Sequence, residues 1–115
     1  MKRSSRLTRS EDIKRVRNEG KSFAHPSVVL VLLSNQIEHN RIAVIAGRSV
    51  GGAVQRNLAK RRIRSVIQSL AHDLEQGYDI LIIARRSILE IEYRSLEEAL
   101  RRLFGRSGLL KDKVS

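Results

Sequence analysis

The sequence predicts an α+β sandwich in which helices cover one face of a β-sheet. Runs rich in Val, Ile and Leu, typical of buried strands, occupy 27–34, 41–47 and 79–84. Two longer stretches, 53–76 and the one that begins after residue 95, place apolar side chains at helical spacing. A whole helix separates the last two strands, so these strands need a crossover connection and the helices must pack on the sheet.

The first and last helices carry end signals. Ser10–Glu19 is expected to be the first helix, with Ile13 and Val16 on one side. Together with the strands and helices above, it gives the order α-β-β-α-β-α. Both helices have the spacing of a capping box at their start: Thr8 with Glu11, and Ser95 with Glu98. Glycines are the expected left-handed stops: Gly20 for the first helix and Gly105 for the last.

Length and composition limit the class of protein. The 115 residues form one expected domain, 1–115, with flexible ends over 1–6 and 108–115. Lys and Arg number 23 against 12 Asp and Glu, a net charge of +11. Nucleic acid is the commonest partner for such an imbalance, and an anionic membrane surface is the second. The longest apolar run, 28–33, is too short to span a bilayer, and the basic N-terminus lacks the apolar region of a signal peptide. A cytoplasmic protein with no membrane partner is therefore expected.

Metal and catalytic patterns are sparse. The chain has no cysteine, and its three histidines, His25, His39 and His72, do not have metal-ligand spacing, so no metal site is expected. Asp79 begins a strand, and His72 with Asp73 is interpreted as a surface pair. No catalytic group is therefore expected in the chain itself.

One segment concentrates the positive charge. No Asp or Glu occurs between His39 and His72, although seven cations do: Arg41, Arg48, Arg56, Lys60, Arg61, Arg62 and Arg64. At roughly 100° per residue, one arc of the predicted helix contains polar residues: Asn57, Lys60, Arg61 and Arg64. A separate arc is apolar and should face the core: Ala59, Ile63, Val66, Ile67 and Leu70.

The alternative to a binding surface is an ordinary solvated helix face. Such faces usually mix signs in Glu–Lys pairs four residues apart, whereas Arg56, Lys60 and Arg64 repel one another at that spacing. This pattern favours a partner that neutralises the charge. Arginine forks suit phosphates, and the Asn57 amide can donate and accept, which suits a 2′-hydroxyl or a base edge.

A family signature occupies the same segment. Residues 48–64 read Arg-Ser-Val-Gly-Gly-Ala-Val-Gln-Arg-Asn-Leu-Ala-Lys-Arg-Arg-Ile-Arg. This resembles the signature of the protein subunit of bacterial ribonuclease P, and every defining position is filled. The likeness extends over nearly the whole chain, because 6–12 resembles the approach to the family's first helix and 78–85 its last strand.

The resemblance implies both a fold and an activity. The fold is an α-β-β-β-α-β-α sandwich with a mixed four-stranded sheet, a left-handed βαβ crossover and an added short strand near Lys21–Ala24. In the family, a large catalytic RNA with Mg²⁺ removes the 5′ leader of precursor tRNA. The implied partners are that RNA and precursor tRNA, with no obligate protein partner. Mg²⁺ is bound mainly by the RNA, and no organic cofactor is implied.

The resemblance also implies two sets of site residues. The basic motif faces the catalytic RNA through Arg48, Arg56, Asn57, Lys60, Arg61 and Arg64. The leader lies in a cleft between the first helix and the sheet, at positions that correspond here to Ile13, Arg17, Phe23 and Val31. The family often lines this cleft with aromatics, but only Phe23 is aromatic here. Charge and apolar contact are therefore expected to replace stacking, which is worth about 1–3 kcal/mol per base.

Two classes of function stay open. The first is an RNA-binding subunit of a catalytic ribonucleoprotein. The second is a structural ribosomal-type protein or an RNA chaperone without precursor-tRNA specificity. The spacing of the motif favours the first class. A stand-alone nuclease would need an acidic metal cluster, which the sequence does not show.

Overall fold

The computed structural model describes residues 6–111. The helices are α1 (Ser10–Glu19), α2 (Ala53–Leu70) and α3 (Tyr93–Ser107), and the strands are β1 (Lys21–Ala24), β2 (Val28–Ser34), β3 (Arg41–Ala46) and β4 (Tyr78–Ala84). Short 3-10 turns follow α2 at Ala71–Asp73 and β4 at Arg86–Leu89. The α-β-β-β-α-β-α order is confirmed, including β1, which the apolar patterns alone miss.

The four strands form one mixed sheet in the order β1-β2-β4-β3. Strand β2 is antiparallel to β1 and β4, whereas β3 is parallel to β4. Helix α2 makes the connection between the parallel strands, so its N-terminus lies at the edge of the sheet where β3 and β4 end. The left-handed sense of this crossover stays a prediction.

One face of the sheet packs against both α2 and α3, and we call it the two-helix face. Its core is apolar and contains the largest buried side chains of both helices, such as Phe104 and Ile63, with no exposed surface. They pack against alternate residues of the strands: Val28, Leu30, Leu32, Ile42, Val44, Ile80 and Ile82. Each such side chain contributes roughly 1.5–3 kcal/mol to folding, so this face supplies most of the stability.

Helix α1 packs on the other face, which we call the one-helix face. Its Val16 is fully buried against Val31, Ala43 and Leu81. The expectation that all helices cover one face is therefore wrong for α1. The residues of β2 that alternate with those in the core of the two-helix face are also apolar. Both faces of the sheet must therefore be shielded from water.

The expected helix ends are also corrected. The N-caps are Arg9 for α1 and Glu92 for α3, and neither makes a side-chain capping hydrogen bond. Gly20 is extended, not left-handed. A Cβ at Gly20 would overlap the carbonyl oxygen of Val16 and approach that of Leu32 to 2.8 Å, so close approach explains this glycine. The left-handed stop of α3 is Gly108, with φ 80°, three residues after the expected Gly105.

The chain ends were expected to be flexible over 1–6 and 108–115. Residues 1–5 and 112–115 lie outside the described residues. Arg6 forms a parallel bridge with Ile42 at the outer edge of β3. Near the other end, Leu109 is buried and the backbone N–H of Lys111 donates to the carbonyl of Asp73. The described parts of both ends are thus held by the fold. Within residues 6–111, no helix is long and apolar enough to cross a membrane.

Candidate nucleic-acid interface

The buried side of α2 fixes the direction of its charged side. Five residues of this helix are buried, and they are those of the predicted apolar arc: Ala59, Ile63, Val66, Ile67 and Leu70. The polar arc therefore points away from the core, as its helical phase predicts. The N-cap is Gly52, which offers no side-chain cap, and the first turn contains no acid. The positive end of the helix dipole is thus left for an anion.

Three of the predicted RNA-binding residues come together in one pocket. Asn57, Arg61 and Arg64 are exposed and line it with Arg6, Ser65 and Gln68. We call this the arginine pocket. Arg6 was not predicted for this site, because it reaches the pocket through a bridge to Ile42 of β3, which is far from it in the sequence.

The other predicted members of the basic motif lie outside the lining of the arginine pocket. Arg56 and Lys60 are half-buried on α2, and Arg48 is exposed in the loop between β3 and α2. Arg48 therefore lies at the edge of the sheet where β3 ends and α2 begins.

Two cations of the acid-free segment serve the fold instead. The Arg62 guanidinium donates to the carbonyl of Ile88 at 2.8 Å and to that of Ile91, which ties the loop before α3 to α2. Arg41 donates from Nε and Nη2 to the two carboxylate oxygens of Asp79, at 2.8 and 2.7 Å. The absence of acids from this segment therefore does not by itself distinguish arginines available to a partner from arginines that hold the fold together.

Arg41 belongs to a polar cluster that joins α1 to the sheet. Asp79 is fully buried and also accepts a hydrogen bond from Asn35 Nδ2 at 3.0 Å. Asp12 and Arg15 of α1 approach Arg41 and Asp79, each at 3.7 Å. The hydrogen bond to Asp79 raises the pKa of Arg41 above its ordinary value, against the effect of burial. We call these five residues the polar clamp.

The opposite flank of α1 faces a partly uncovered stretch of the one-helix face. Ile13 and Arg17 are one helical turn apart, so they share this flank. Ile13 is half-buried and Arg17 is exposed. Three half-buried side chains form a row across neighbouring strands: Val29 pairs with Ile83, and Ile83 with Ile45. We call this row the apolar strip.

Two predicted cleft residues do not line this surface. Phe23 pairs with Leu30 and packs into the core of the two-helix face, on the other side of the sheet from α1. Val31 is on the correct face but is only 3% exposed beneath α1. The resemblance indicates which positions of the chain lie near the cleft. However, successive side chains of β1 point to opposite faces of the sheet, and that of Phe23 points away from α1. Sequence reasoning missed the apolar strip because its alternating apolar residues look like ordinary core.

The two predicted surfaces meet at the outer edge of β3. Ile13 and Arg64 line one pocket, together with Arg6, Leu7, Thr8 and the strand residues Ile42, Ala43, Val44 and Ile45. Arg6 and Arg64 also line the arginine pocket. A polyanion on the basic face of α2 would therefore lie next to whatever occupies the flank of α1.

Comparison with known proteins gives the family. The ribonuclease P family model matches residues 1–108. This chain belongs to the ribonuclease P protein family. The ribonuclease P protein component of Streptococcus pyogenes serotype M5 (strain Manfredo) is 34% identical over 111 residues, which cover 96% of this chain and 92% of that protein.

Solved structures agree with the family and the fold. The RNase P protein from Thermotoga maritima superposes with a TM-score of 0.79 at 26% identity, over 88% of this chain and 96% of that one. A Staphylococcus aureus RNase P protein superposes with a TM-score of 0.83 over 93% and 98% of the two chains. At 24% identity, the latter likeness shows the fold alone.

Within residues 6–111, no group of three or more His, Cys, Asp or Glu side chains could hold a metal ion. Of the three histidines, His25 accepts a hydrogen bond from the Ser27 backbone N–H at 3.1 Å in the turn before β2. The side chains that line the candidate interface are cations, the amides of Asn57 and Gln68, the hydroxyls of Thr8 and Ser65, and apolar groups.

Proposed function

We propose that this chain is the RNA-binding protein subunit of a cytoplasmic ribonuclease P holoenzyme. In this role it binds the catalytic RNA and the 5′ leader of precursor tRNA, stabilises the active complex and assists endonucleolytic removal of the leader. The observation that carries the proposal is the arginine pocket, in which Asn57, Arg61 and Arg64 of the family signature converge with Arg6.

The arginine pocket suits the backbone of a folded RNA. Each guanidinium is planar and can bind two phosphate oxygens at once, and the positive charge persists at every physiological pH. Asn57 can bond a 2′-hydroxyl as donor or acceptor, which favours RNA over DNA. Contacts of this kind release counterions, so binding should weaken steeply as salt rises.

The flank of α1 suits the single-stranded leader. The apolar strip offers contact for the faces of bases, and Arg17 offers a charge for a phosphate. Of the four cleft residues that the resemblance implies, Ile13 and Arg17 carry this proposal, because Val31 is buried and Phe23 packs against the core of the two-helix face. The pocket shared by Ile13 and Arg64 would keep the leader close to the catalytic RNA.

The chemistry of cleavage then belongs to the RNA. The chain contributes positive charge beside the RNA, and Mg²⁺ is proposed to be bound mainly by RNA phosphates. Because protein cations replace part of the counterion atmosphere, the holoenzyme should need less Mg²⁺ than the RNA alone. No obligate protein partner enters this proposal.

Reconstitution tests the proposed function. Precursor tRNA is incubated at low Mg²⁺ with a bacterial ribonuclease P RNA, with this chain, or with both, and release of the 5′ leader is measured. Cleavage is expected only with both components. No stimulation by the chain would contradict the proposal, and cleavage by the chain alone would contradict the assignment of catalysis to the RNA.

A matched pair of arginine variants locates the effect. Arg61→Ala together with Arg64→Ala should raise the concentration of chain needed for stimulation. The control is Arg102→Ala together with Arg106→Ala, two exposed arginines of α3; it removes the same charge and should leave that concentration unchanged. Equal effects of the two would mean that general charge, and not the arginine pocket, binds the RNA.

A further inference from the structure

The aromatic side chains differ in accessibility. The chain has two Phe and two Tyr and no Trp. Phe104 is fully buried, and Phe23 and Tyr78 pack against the core of the two-helix face. Tyr93, the first residue of α3, is 41% exposed. It is therefore the aromatic ring that an external partner can reach most readily.

Tyr93 is fixed beside the arginine pocket. Its hydroxyl lies 2.7 Å from Ser65 Oγ, a hydrogen bond between α3 and α2. Ser65 lines the arginine pocket and continues the row of Asn57 and Arg61, which are spaced four positions apart along α2. The hydrogen bond therefore places the ring at the rim of the pocket and limits its motion.

We propose that the Tyr93 ring stacks on an unpaired nucleobase of the catalytic RNA whose phosphates occupy the arginine pocket. The inference rests on the proposed function. Guanidinium groups bind phosphates, and an exposed ring adds a platform for the face of a base. Bases inside a continuous duplex are covered by their neighbours, so this combination of groups selects a bulged, looped or terminal nucleotide.

Binding at such a ring has a low entropic cost. A tyrosine held at its hydroxyl has fewer conformations to lose than a free side chain, so more of the stacking energy appears as affinity. The Ser65 hydrogen bond is thus a positioning contact, and the ring is the group that touches RNA.

A purely structural role would have a different signature. In that case the bond between Tyr93 and Ser65 would matter because it ties α3 to α2, and the ring would be incidental. Tyr93→Phe removes the hydrogen bond and keeps the ring. Tyr93→Leu keeps an apolar side chain and removes the ring. The two variants therefore separate the ring from the bond.

Affinity for a bacterial ribonuclease P RNA is measured by filter binding with the full chain. Tyr93→Leu should weaken binding about 5- to 150-fold, the range that corresponds to stacking of one base. Tyr93→Phe should stay within about threefold of the wild type, since it keeps the ring and loses one exposed hydrogen bond. The control is Ile37→Ala in the turn between β2 and β3, because Ile37 has the same 41% exposure.

Two results of this titration would overturn the proposal. One is a Tyr93→Leu variant that binds as tightly as the wild type. The other is a loss with Tyr93→Phe as large as the loss with Tyr93→Leu, because the hydrogen bond would then be the cause. Thermal melting of each variant excludes unfolding as the source of lost affinity.

Tyrosine fluorescence gives a direct readout of stacking. Tyr78→Phe leaves Tyr93 as the sole tyrosine, and the chain has no tryptophan to mask it. Emission should be quenched when the catalytic RNA is added and stay unchanged with a leader oligonucleotide alone. No quenching by the catalytic RNA, or equal quenching by the leader, would overturn the assignment to that RNA.

The proposed function and this inference fail separately. If wild-type chain neither binds nor stimulates any bacterial ribonuclease P RNA, the proposed function fails and the inference falls with it. If the wild type does both and Tyr93→Leu does so equally well, only the inference fails.

Discussion

The two faces of the sheet are built in different ways. The two-helix face is covered by α2 and α3 and has a continuous apolar core with fully buried residues such as Phe104 and Leu100. The one-helix face has a smaller buried cluster around Val16 and leaves the apolar strip half-exposed. A polar clamp of charged and amide groups, centred on buried Asp79, joins α1 to this second face.

This difference assigns separate tasks to the two faces. Apolar burial on the two-helix face holds the sheet together and fixes the direction of the basic side of α2. On the one-helix face, α1 is attached along the flank with Asp12 and Arg15, so its other flank stays free beside the apolar strip. The stable face thus supports the proposed contact with the catalytic RNA, and the partly open face suits the leader.

Truncation in the core of the two-helix face should have the largest effect. Phe104→Ala is expected to lower the free energy of unfolding by about 3–5 kcal/mol, because a fully buried ring is replaced by a cavity. Ile13→Ala in α1 should lower the free energy of unfolding by only about 1 kcal/mol, because the Ile13 side chain is half-buried. Urea unfolding of both variants measures the contrast, and equal losses would mean that the faces contribute alike.

Breaking the polar clamp should have the next largest effect on stability. Asp79→Asn leaves the Arg41 guanidinium with only the Asp12 carboxylate, at 3.7 Å. The expected cost is about 2–3 kcal/mol, near the lower end for a buried pair because the Arg41 side chain is still 26% exposed. Urea unfolding measures this loss as well. Wild-type stability in the variant would mean that α1 does not depend on the clamp.

The pH dependence of the clamp follows from the raised pKa of Arg41. A cation whose pKa is higher in the folded state contributes its full stability below the unfolded pKa and loses it as pH rises through the folded pKa. The cost of Arg41→Ala should therefore be constant between about pH 6 and pH 10, where arginine stays charged. A cost that falls across this range would show that another group controls the clamp.

Loss of charge from the basic side of α2 should weaken RNA binding. Arg61→Ala with Arg64→Ala is expected to lower the affinity for the catalytic RNA about tenfold, or by about 1.4 kcal/mol. The slope of log affinity against log salt should also become shallower by about 0.7–0.9 for each lost phosphate contact. Binding titrations from low to moderate salt measure both. An unchanged slope would mean that neither side chain touches phosphate. Arg56→Ala and Lys60→Ala extend the series to the half-buried members.

The smallest expected effect separates Arg17 from Phe23. Arg17→Ala should weaken binding of precursor tRNA to the holoenzyme by about three- to fivefold, as expected for one exposed charge contact of up to 1 kcal/mol. Phe23→Leu should leave that binding unchanged and slightly lower thermal stability, because Phe23 packs into the two-helix core. Loss of precursor binding in Phe23→Leu with normal stability would contradict the corrected placement of this ring.

Much of the fold could be predicted from local pattern. The apolar runs predict β2, β3 and β4 to within one residue at each end, and the phase of α2 predicts its buried residues. Strand β1 has one half-buried apolar side chain in four residues, so its own pattern is too weak, and only the family resemblance indicated it. The buried stripe of α1 predicts a helix but cannot say which face of the sheet it covers.

The site was predictable where helical spacing decides it. Asn57, Arg61 and Arg64 converge because one helix carries them. Partners that tertiary contacts bring together could not be predicted. Arg6 reaches the pocket through a strand bridge, and Arg62 binds the Ile88 carbonyl of a loop 26 residues away. The direction of Phe23 could not be predicted either, because the weak apolar pattern of β1 does not indicate which of its side chains face the two-helix core.

The central claim is that the catalytic RNA and the leader bind separate surfaces. The most direct test compares holoenzyme affinity for precursor tRNA with that for mature tRNA, which lacks the leader, at saturating protein. Arg17→Ala should lower the ratio of the two affinities, whereas Arg61→Ala with Arg64→Ala should leave the ratio unchanged and weaken assembly with the catalytic RNA. The opposite pattern, with the ratio controlled by Arg61 and Arg64 and assembly by Arg17, would contradict the account.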